Sequence, residues 1–576
     1  MSGAGPAHRA RSPRHRAGSP PPGDPPQGPV TPPPAGRPGQ RPEPSLGRSS
    51  RIMAIASATS RATGFLRSIV ITAAIGLGAI GDAYSTANNL PNIVYELLIG
   101  GVLTSVIVPL LVHAQHHDED GGEAYAQRLV SLAVLVLTAA TVVAVIGAPL
   151  LTALYGINGD DTSKIALANL LARLLLPQMI FYGLGAMLGA ILNTRAVYGP
   201  PAWAPVLNNI IVIATAGVFL IMPGPKTLDV NTITLAQVLV LGIGTTLGIV
   251  AQSVALIPAA RRVGFRWKWR FDVRGVGLRE AGTLSLWVIG YVIVSQLGYA
   301  VITRLANAAG DESGIGYAVY VQASLLFQTP YGIAGVALLT ALLPRMSRAA
   351  AQGDTDRVVS DFSLGSRLNA LALMPVTAAF IVLGPALTTV IFAYGNASFH
   401  SAHETGVVLA WAAFGLLPFA ITMLQLRAFY AVKDARTPTL INAAMVVIRV
   451  ILAVLVPVLL PARDVVTGLA VVNSLSFVIG AVIGEVLLRT RFGRLETRRM
   501  LRTTSRLAIA SAIGGLAAWG VLVAVTGALG SGRLGSAMAV LGGSLLGGLI
   551  ALIVGLRLHI EELAMAVGGV RRRIAR

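Results

Sequence analysis

From residue 51 to residue 556 the chain alternates long apolar runs with short polar connectors. Each run is close to the ~20 residues an α-helix needs to cross a bilayer, and fourteen such spans can be counted. The first two, 51–78 and 83–113, differ because they carry Arg61, Arg67, Asp82 and Glu96 at or near bilayer depth. An ionisable side chain at the centre of a spanning helix costs about 2.5 to 3.5 kcal/mol on insertion scales, so such residues face a cavity or a partner. The pattern predicts an all-α integral membrane protein of about 14 transmembrane helices, with the first two walling a polar pathway.

An internal repeat sharpens this picture. The run GGVLTSVIVP ending at Pro109 resembles GVALLTALLP ending at Pro344, and PVLNN from Pro205 resembles PTLIN from Pro438. The offsets, 235 and 233 residues, are nearly equal, so spans one to six and seven to twelve read as duplicates. Six is even, so the two copies cross in the same sense and form parallel repeats. The expected organisation is an N-terminal six-helix lobe over 51–260, a linker over 261–279, a C-terminal six-helix lobe over 280–490, an appended helix pair over 491–560 and a basic tail over 561–576. Residues 1–50 form a Pro/Arg-rich segment with no apolar period, which predicts a disordered tail. With no cleavage site in that tail, the first span is expected to act as an uncleaved signal.

Charge adds orientation. The net charge is +20, with only 12% of residues charged and 54% hydrophobic. The basic residues gather in alternate connectors: Arg261 to Arg279, Arg489 to Arg506, and the C-terminal Arg571, Arg572, Arg573 and Arg576, whereas the other set holds only Lys164, Lys226, Arg463 and Arg533. Cytoplasmic loops collect Lys and Arg, so both termini are expected in the cytoplasm. The linker interleaves Trp267 and Trp269 with its arginines, which predicts an amphipathic helix on the inner leaflet with anionic membrane lipids as partners rather than nucleic acid.

Several chemistries are set aside. The chain has no cysteine, hence no disulfide, thiolate nucleophile or cysteine metal site. No strand precedes Gly76-Leu77-Gly78, and no Gly-Lys-Ser/Thr loop exists, so the chain reads as a transporter and not an enzyme, with no cofactor. His113, His116 and His117 beside Asp118, Glu119 and Asp120 sit in a polar connector and are expected to bind no metal.

The candidate site lies in the polar spans. Arg61 and Arg67 are about 120° apart on one helix with Gly64 between them. Guanidinium groups bind phosphate in a forked geometry and stay charged, and Gly64 admits a bend or a ligand. Asp82 either caps the second helix or pairs with a basic residue to gate the outer side. Glu96 is expected to pair with an arginine. Arg304, toward the outer end of span seven, joins the site. Arg367 is expected to snorkel, and Arg173 and Arg449 to pack between helices or line the cavity. Pro91 and Pro330 are expected to break spans two and eight at equivalent, gate-forming positions.

SRATGFLR, GDAY, LPNIVYELLIGGVLTSVIVPLL, IAGVALLTALLP, FAYGNAS and LRAFYAVKDARTP follow in order through the chain. Together they resemble the MurJ (MviN) family of lipid II flippases, within the multidrug/oligosaccharidyl-lipid/polysaccharide exporter superfamily, over about residues 51 to 557. The resemblance implies two six-helix lobes around a cationic cavity, a last helix pair forming a lipid-facing groove, and lipid II as cargo moved by alternating access. Arg61 and Arg67 match the family's cavity-facing arginines of the first helix, and Asp82 its acidic residue after that helix. At two positions where well-studied members carry arginine, this chain has Tyr95, followed by Glu96, and Leu325; Arg304 is the candidate to supply the missing charge. The alternatives are an exporter of another polyprenyl-linked glycan, a cation-coupled drug antiporter, and a non-transporting scaffold that recruits cell-wall or division proteins.

Overall fold

A computed structural model describes residues 46–97, 108–159, 161–225, 228–270 and 282–565. The first 45 residues and 566–576, and with them most of the two expected tails, lie outside the described residues. One compact unit begins at Ser49.

All regular structure among the described residues is helical. The first half comprises α1 (Leu46–Ile75), α2 (Ala79–Leu97), α3 (Val108–His117), α4 (Glu123–Ile146), α5 (Ala148–Leu154), α6 (Thr162–Leu175), α7 (Gln178–Thr194), α8 (Gly199–Ile221), α9 (Leu235–Val254) and α10 (Ile257–Arg262). The second half comprises α11 (Gly282–Ser313), α12 (Tyr317–Pro330), α13 (Val336–Ala351), α14 (Thr355–Phe392), α15 (Phe399–Ala412), α16 (Leu416–Ala431), α17 (Arg436–Leu459) and α18 (Ala462–Phe492), followed by α19 (Thr497–Leu529) and α20 (Arg533–Arg557). Twelve helical spans from Glu123 onward are long and apolar enough to cross a membrane, and they coincide with the third to fourteenth of the fourteen expected spans. Helix α1 falls outside that set because polar residues interrupt it, and of the second expected span residues 98–107 lie outside the described residues.

Packing follows the duplication. In the first half α4 packs on α7, α8 on α9, α7 on α9 and α2 on α6; in the second half α14 packs on α15, α17 on α18, α16 on α18 and α12 on α15. Helices α19 and α20 pack on each other and on α14. Their contact is close because glycines face each other: a Cβ on Gly547 would stand 2.6 Å from the carbonyl oxygen of Gly514. Small residues of this kind let helix backbones approach in lipid.

Polarity runs inside-out. Ile221 and Val458 are 82% and 78% exposed, whereas Asp82, Lys164, Gln178, Asn208, Asn307 and Arg367 are buried. A soluble domain distributes these residue types the other way, and exposed aliphatic faces of this extent call for a lipid solvent.

Three local expectations change. Beyond Arg262 the linker is not helical: Gly264 takes a left-handed φ of +92°, and residues 263–270 run irregularly along α4. There Trp267 Nε1 donates to Ser131 Oγ at 3.2 Å and Arg270 Nε to Gln127 Oε1 at 2.8 Å, so side-chain hydrogen bonds, not helix amphipathicity, hold the segment; residues 271–281 are outside the described set. Pro91 does not break its helix, since α2 continues to Leu97. Pro330 does not break its span either: the chain widens into one π turn over Tyr331–Gly335 and continues as α13. A π turn absorbs the missing amide donor locally.

Candidate functional site

Two adjacent chambers lie between the halves. The first, of about 330 Å³, is lined by Arg67 and Ser68 of α1, Asn88, Asn89 and Asn92 of α2, Gln178, Asn208 and Gln322. The second, of about 500 Å³, is lined by Glu96, Tyr291, Gln296, Gln328, Asn442 and Arg449. Asn89, Asn92 and Tyr299 line both. Arg67 thus supplies a guanidinium from the first half and Arg449 one from the second. Arg449 is held by its Nη1, which donates to Asn473 Oδ1 of α18 at 3.1 Å. Across the first chamber Ser68 Oγ donates to Gln322 Oε1 at 2.6 Å, joining α1 to α12. The polar face of α2 comes from the run Asn88-Asn89-Leu90-Pro91-Asn92, whose asparagines offer donors and acceptors without charge.

Beside the first chamber, next to its lining residues Gly81 and Ala318, lies a charged cluster. Asp82 is 1% exposed and accepts a hydrogen bond from the Ala318 backbone N–H at 2.7 Å. It therefore caps α12 in the opposite half, not its own helix. Lys164 Nζ of α6, itself 3% exposed, stands 3.8 Å from Asp82 Oδ2 and 2.5 Å from Asp311 Oδ1 of α11. The carboxylate fits because Gly316 has no side chain: a Cβ there would collide with Asp82. Beside it Asn307 Nδ2 donates to Thr86 Oγ1 at 2.9 Å and to the Tyr155 carbonyl at 2.8 Å. A further tie joins α1 to the loop before α15, where Asn396 N donates to the Ala73 carbonyl at 2.8 Å. A buried charge pair is stable only when it is hydrogen-bonded; Asp82 and Lys164 are buried and hydrogen-bonded, and Asp311 keeps a third of its side chain exposed.

The other expected residues are more scattered. Arg61 lies midway along α1, exposed, with its guanidinium against Gly332 in the π turn. Arg304 does not reach the chambers; it is exposed, and its Nη1 faces the Ala153 and Leu154 carbonyls at 3.4 Å. Glu96 opens into the second chamber but forms no ion pair among the described residues, so its expected arginine partner is not there. Tyr95 is described by its backbone alone, within α2. No close approach depends on Gly64, where a Cβ would meet Asn209 Nδ2 at an ordinary 3.4 Å. Arg173 is exposed. Arg367 does not snorkel; it is buried in an ion pair with Glu562.

Sequence reasoning missed Lys164 as a site residue, and of its two options for Arg449, packing between helices or lining the cavity, the structure has the second. Lys164 was legible as one of the few basic residues in the connectors otherwise poor in them, but its proximity to Asp82 spans 82 sequence positions and needs the fold. Arg449 was visible as a charge in an apolar span.

Comparison with known proteins agrees with this architecture. The family model described as lipid II flippase MurJ matches residues 71–538. A probable lipid II flippase MurJ of Haemophilus influenzae is 28% identical over 404 residues, covering 66% of this chain and 75% of its own length. Another from Rhizobium meliloti is 26% identical over 457 residues, covering 79% and 82%. Among solved structures, a lipid II flippase MurJ in an inward closed conformation superimposes with a TM-score of 0.70 at 18% identity, covering 88% of this chain and 98% of that one. An inward-facing multidrug resistance MATE transporter of the MOP superfamily gives 0.58 at 16% identity, covering 78% and 99%. With the family model spanning most of its length, this chain belongs to the lipid II flippase MurJ family.

Proposed function

We propose that this protein is a flippase that carries lipid II, a polyprenyl-diphosphate-linked muropeptide, from the inner to the outer leaflet of the bacterial plasma membrane. The observation that carries the reading is the pair Arg67 and Arg449, one from each half, lining adjoining polar chambers in a chain of this family. A diphosphate entering low dielectric needs fixed positive charge, and two guanidinium forks supply it. The asparagines of α2 suit the neutral, hydroxyl-rich sugars. The π turn beside Arg61 and the glycine-mediated contact of α19 with α20 suit a lateral path for the polyprenyl chain.

Fourteen spans follow if α1 and α2 join the twelve apolar ones, and the arginine distribution then puts both termini in the cytoplasm. In that orientation the cluster of Asp82, Lys164 and Asp311 closes the outer mouth, and its opening would accompany release. Residues 51–260 and 280–490 act as the two lobes that rock about the cavity, as the matched packing of their helices supports. Anionic lipids contact the arginine-rich surface. Translocation needs no covalent chemistry, and the protein acts as a transporter.

The test is rescue of a strain depleted of its own lipid II flippase by the parent chain and by Arg67→Ala at matched membrane levels, scoring lipid II on the outer leaflet. Rescue by the parent with failure of the variant is expected; a well-expressed parent that fails to rescue overturns the reading.

A further inference from the structure

A third cavity, of about 540 Å³, lies far from the two chambers in sequence and lining: it sits between the first turns of α19 and the segment that follows α20. Its wall includes Arg498, Arg502, Thr503, Arg506 and His559. Its wall also holds Arg499, Glu496, Glu561 and Glu562, and these three carboxylates already have basic partners. Glu562 pairs with Arg367. Glu496 accepts from Ser363 Oγ at 2.8 Å and lies 3.6 Å from Arg499, and Glu561 lies 3.1 Å from Arg499. Arg506 gives one N–H to the His559 carbonyl at 3.3 Å. Arg498, Arg502 and Arg506 therefore have no carboxylate partner among the described residues.

Their spacing makes them a ladder. At about 100° per residue, steps of four place the three side chains within about 80° of one another on α19. Like charges four residues apart destabilise the helix that carries them, so the ladder is out of balance until an anion bridges it. The same face then turns apolar: Ile509, Ile513 and Leu516 lie at about 20°, 60° and 0° from Arg498, and all three are exposed. One continuous surface thus offers guanidinium donors where the polar turn meets the apolar run, and hydrocarbon beyond.

We infer that this cavity binds the phosphate group of an anionic phospholipid, with its acyl chains along Ile509, Ile513 and Leu516. Guanidinium forks match phosphate oxygens, and basic pockets between spanning helices hold anionic headgroups. A free phosphate would use the ladder and leave the apolar face idle, which is why the lipid is the better fit. The bound lipid bridges the start of α19 to the segment after α20.

The experiment uses the full-length protein purified in detergent, supplied with phosphatidylglycerol or phosphatidylcholine and read by native mass spectrometry. The parent is expected to retain phosphatidylglycerol in preference, and Arg502→Gln/Arg506→Gln to lose that preference about ten-fold. Arg491→Gln/Arg494→Gln removes the same charge from the neighbouring turn and is expected to keep it. Arg502→Lys/Arg506→Lys, which keeps the charge and loses the fork, is expected to fall between; it also serves as the test if the glutamine pair fails to fold. Equal loss in both glutamine pairs, or full retention in the ladder variants, overturns the site. Displacement of the lipid by millimolar inorganic phosphate assigns the ladder to a free anion and overturns the lipid assignment.

Discussion

Asn209 and Asn442 make the same two hydrogen bonds in the two halves of the protein. Asn209 Nδ2 of α8 donates to the Ser60 carbonyl and to Thr63 Oγ1 of α1, both at 3.0 Å. Asn442 Nδ2 of α17 donates to the Tyr291 carbonyl at 3.1 Å and to Ser295 Oγ of α11 at 2.8 Å. The two asparagines end the PVLNN and PTLIN runs, so the repeat seen in letters is also a repeat in contacts: each ties the fifth span of its half to the first.

Replacing either asparagine by leucine should therefore cost the same, about 1 kcal/mol for two interhelical hydrogen bonds in lipid. The sites share no partner, so the double variant should lose the sum. Thermal unfolding in detergent measures all three; a double variant no less stable than a single one would show that the ties are not independent.

Breaking the cluster of Asp82, Lys164 and Asp311 should open the outer mouth that it is proposed to close. Because the chain has no cysteine, a single cysteine placed at Ser85, which lines the first chamber, reports access without background. An impermeant maleimide added outside should label it at least about ten-fold faster when Asp82→Asn removes the charge facing Lys164. Lys164→Met should act more strongly, because it leaves Asp82 and Asp311 without their cation, and removing one partner of a buried pair costs about 3 to 5 kcal/mol. Unchanged labelling in both variants would separate the cluster from gating.

The two chamber arginines should matter where the third does not. A hydrogen bond to a charged group contributes about 1.5 to 3 kcal/mol, so Arg67→Gln and Arg449→Gln should each lower appearance of lipid II on the outer leaflet about ten-fold or more. Arg304→Gln, whose guanidinium rests on the carbonyls at the end of α5, should stay within about two-fold of the parent. The opposite ranking would return the cavity charge to α11.

Arg367 and Glu562 should behave as a buried pair. Arg367→Met alone should destabilise by about 3 kcal/mol by leaving Glu562 uncompensated, and adding Glu562→Leu should recover most of that loss. Denaturation in detergent checks this, and an additive double variant would show that the pair does not couple α14 to the segment after α20.

The sequence by itself determined the all-helical membrane class and twelve of the spans. A bilayer demands about 20 apolar residues per crossing and internal satisfaction of every backbone group, so the twelve runs could only be helices, and PVLNN and PTLIN carried the register of the repeat. It also singled out Arg67 and Asp82, because charge in an apolar run needs a reason. Only the tertiary structure decided which charges meet. Arg304 and Arg449 look alike as arginines in apolar spans, yet one points to a carbonyl rim and the other to a chamber, a difference set by helix rotation and neighbours. Lys164 finds Asp82 and Asp311 only when α6, α2 and α11 pack together. Pro330 becomes a π turn and not a break because the surrounding helices hold the span in line. Hydrophobic length is a one-dimensional quantity that the chain records directly, whereas charge pairing depends on three-dimensional approach between distant segments, and a cavity exists only between helices that have already packed.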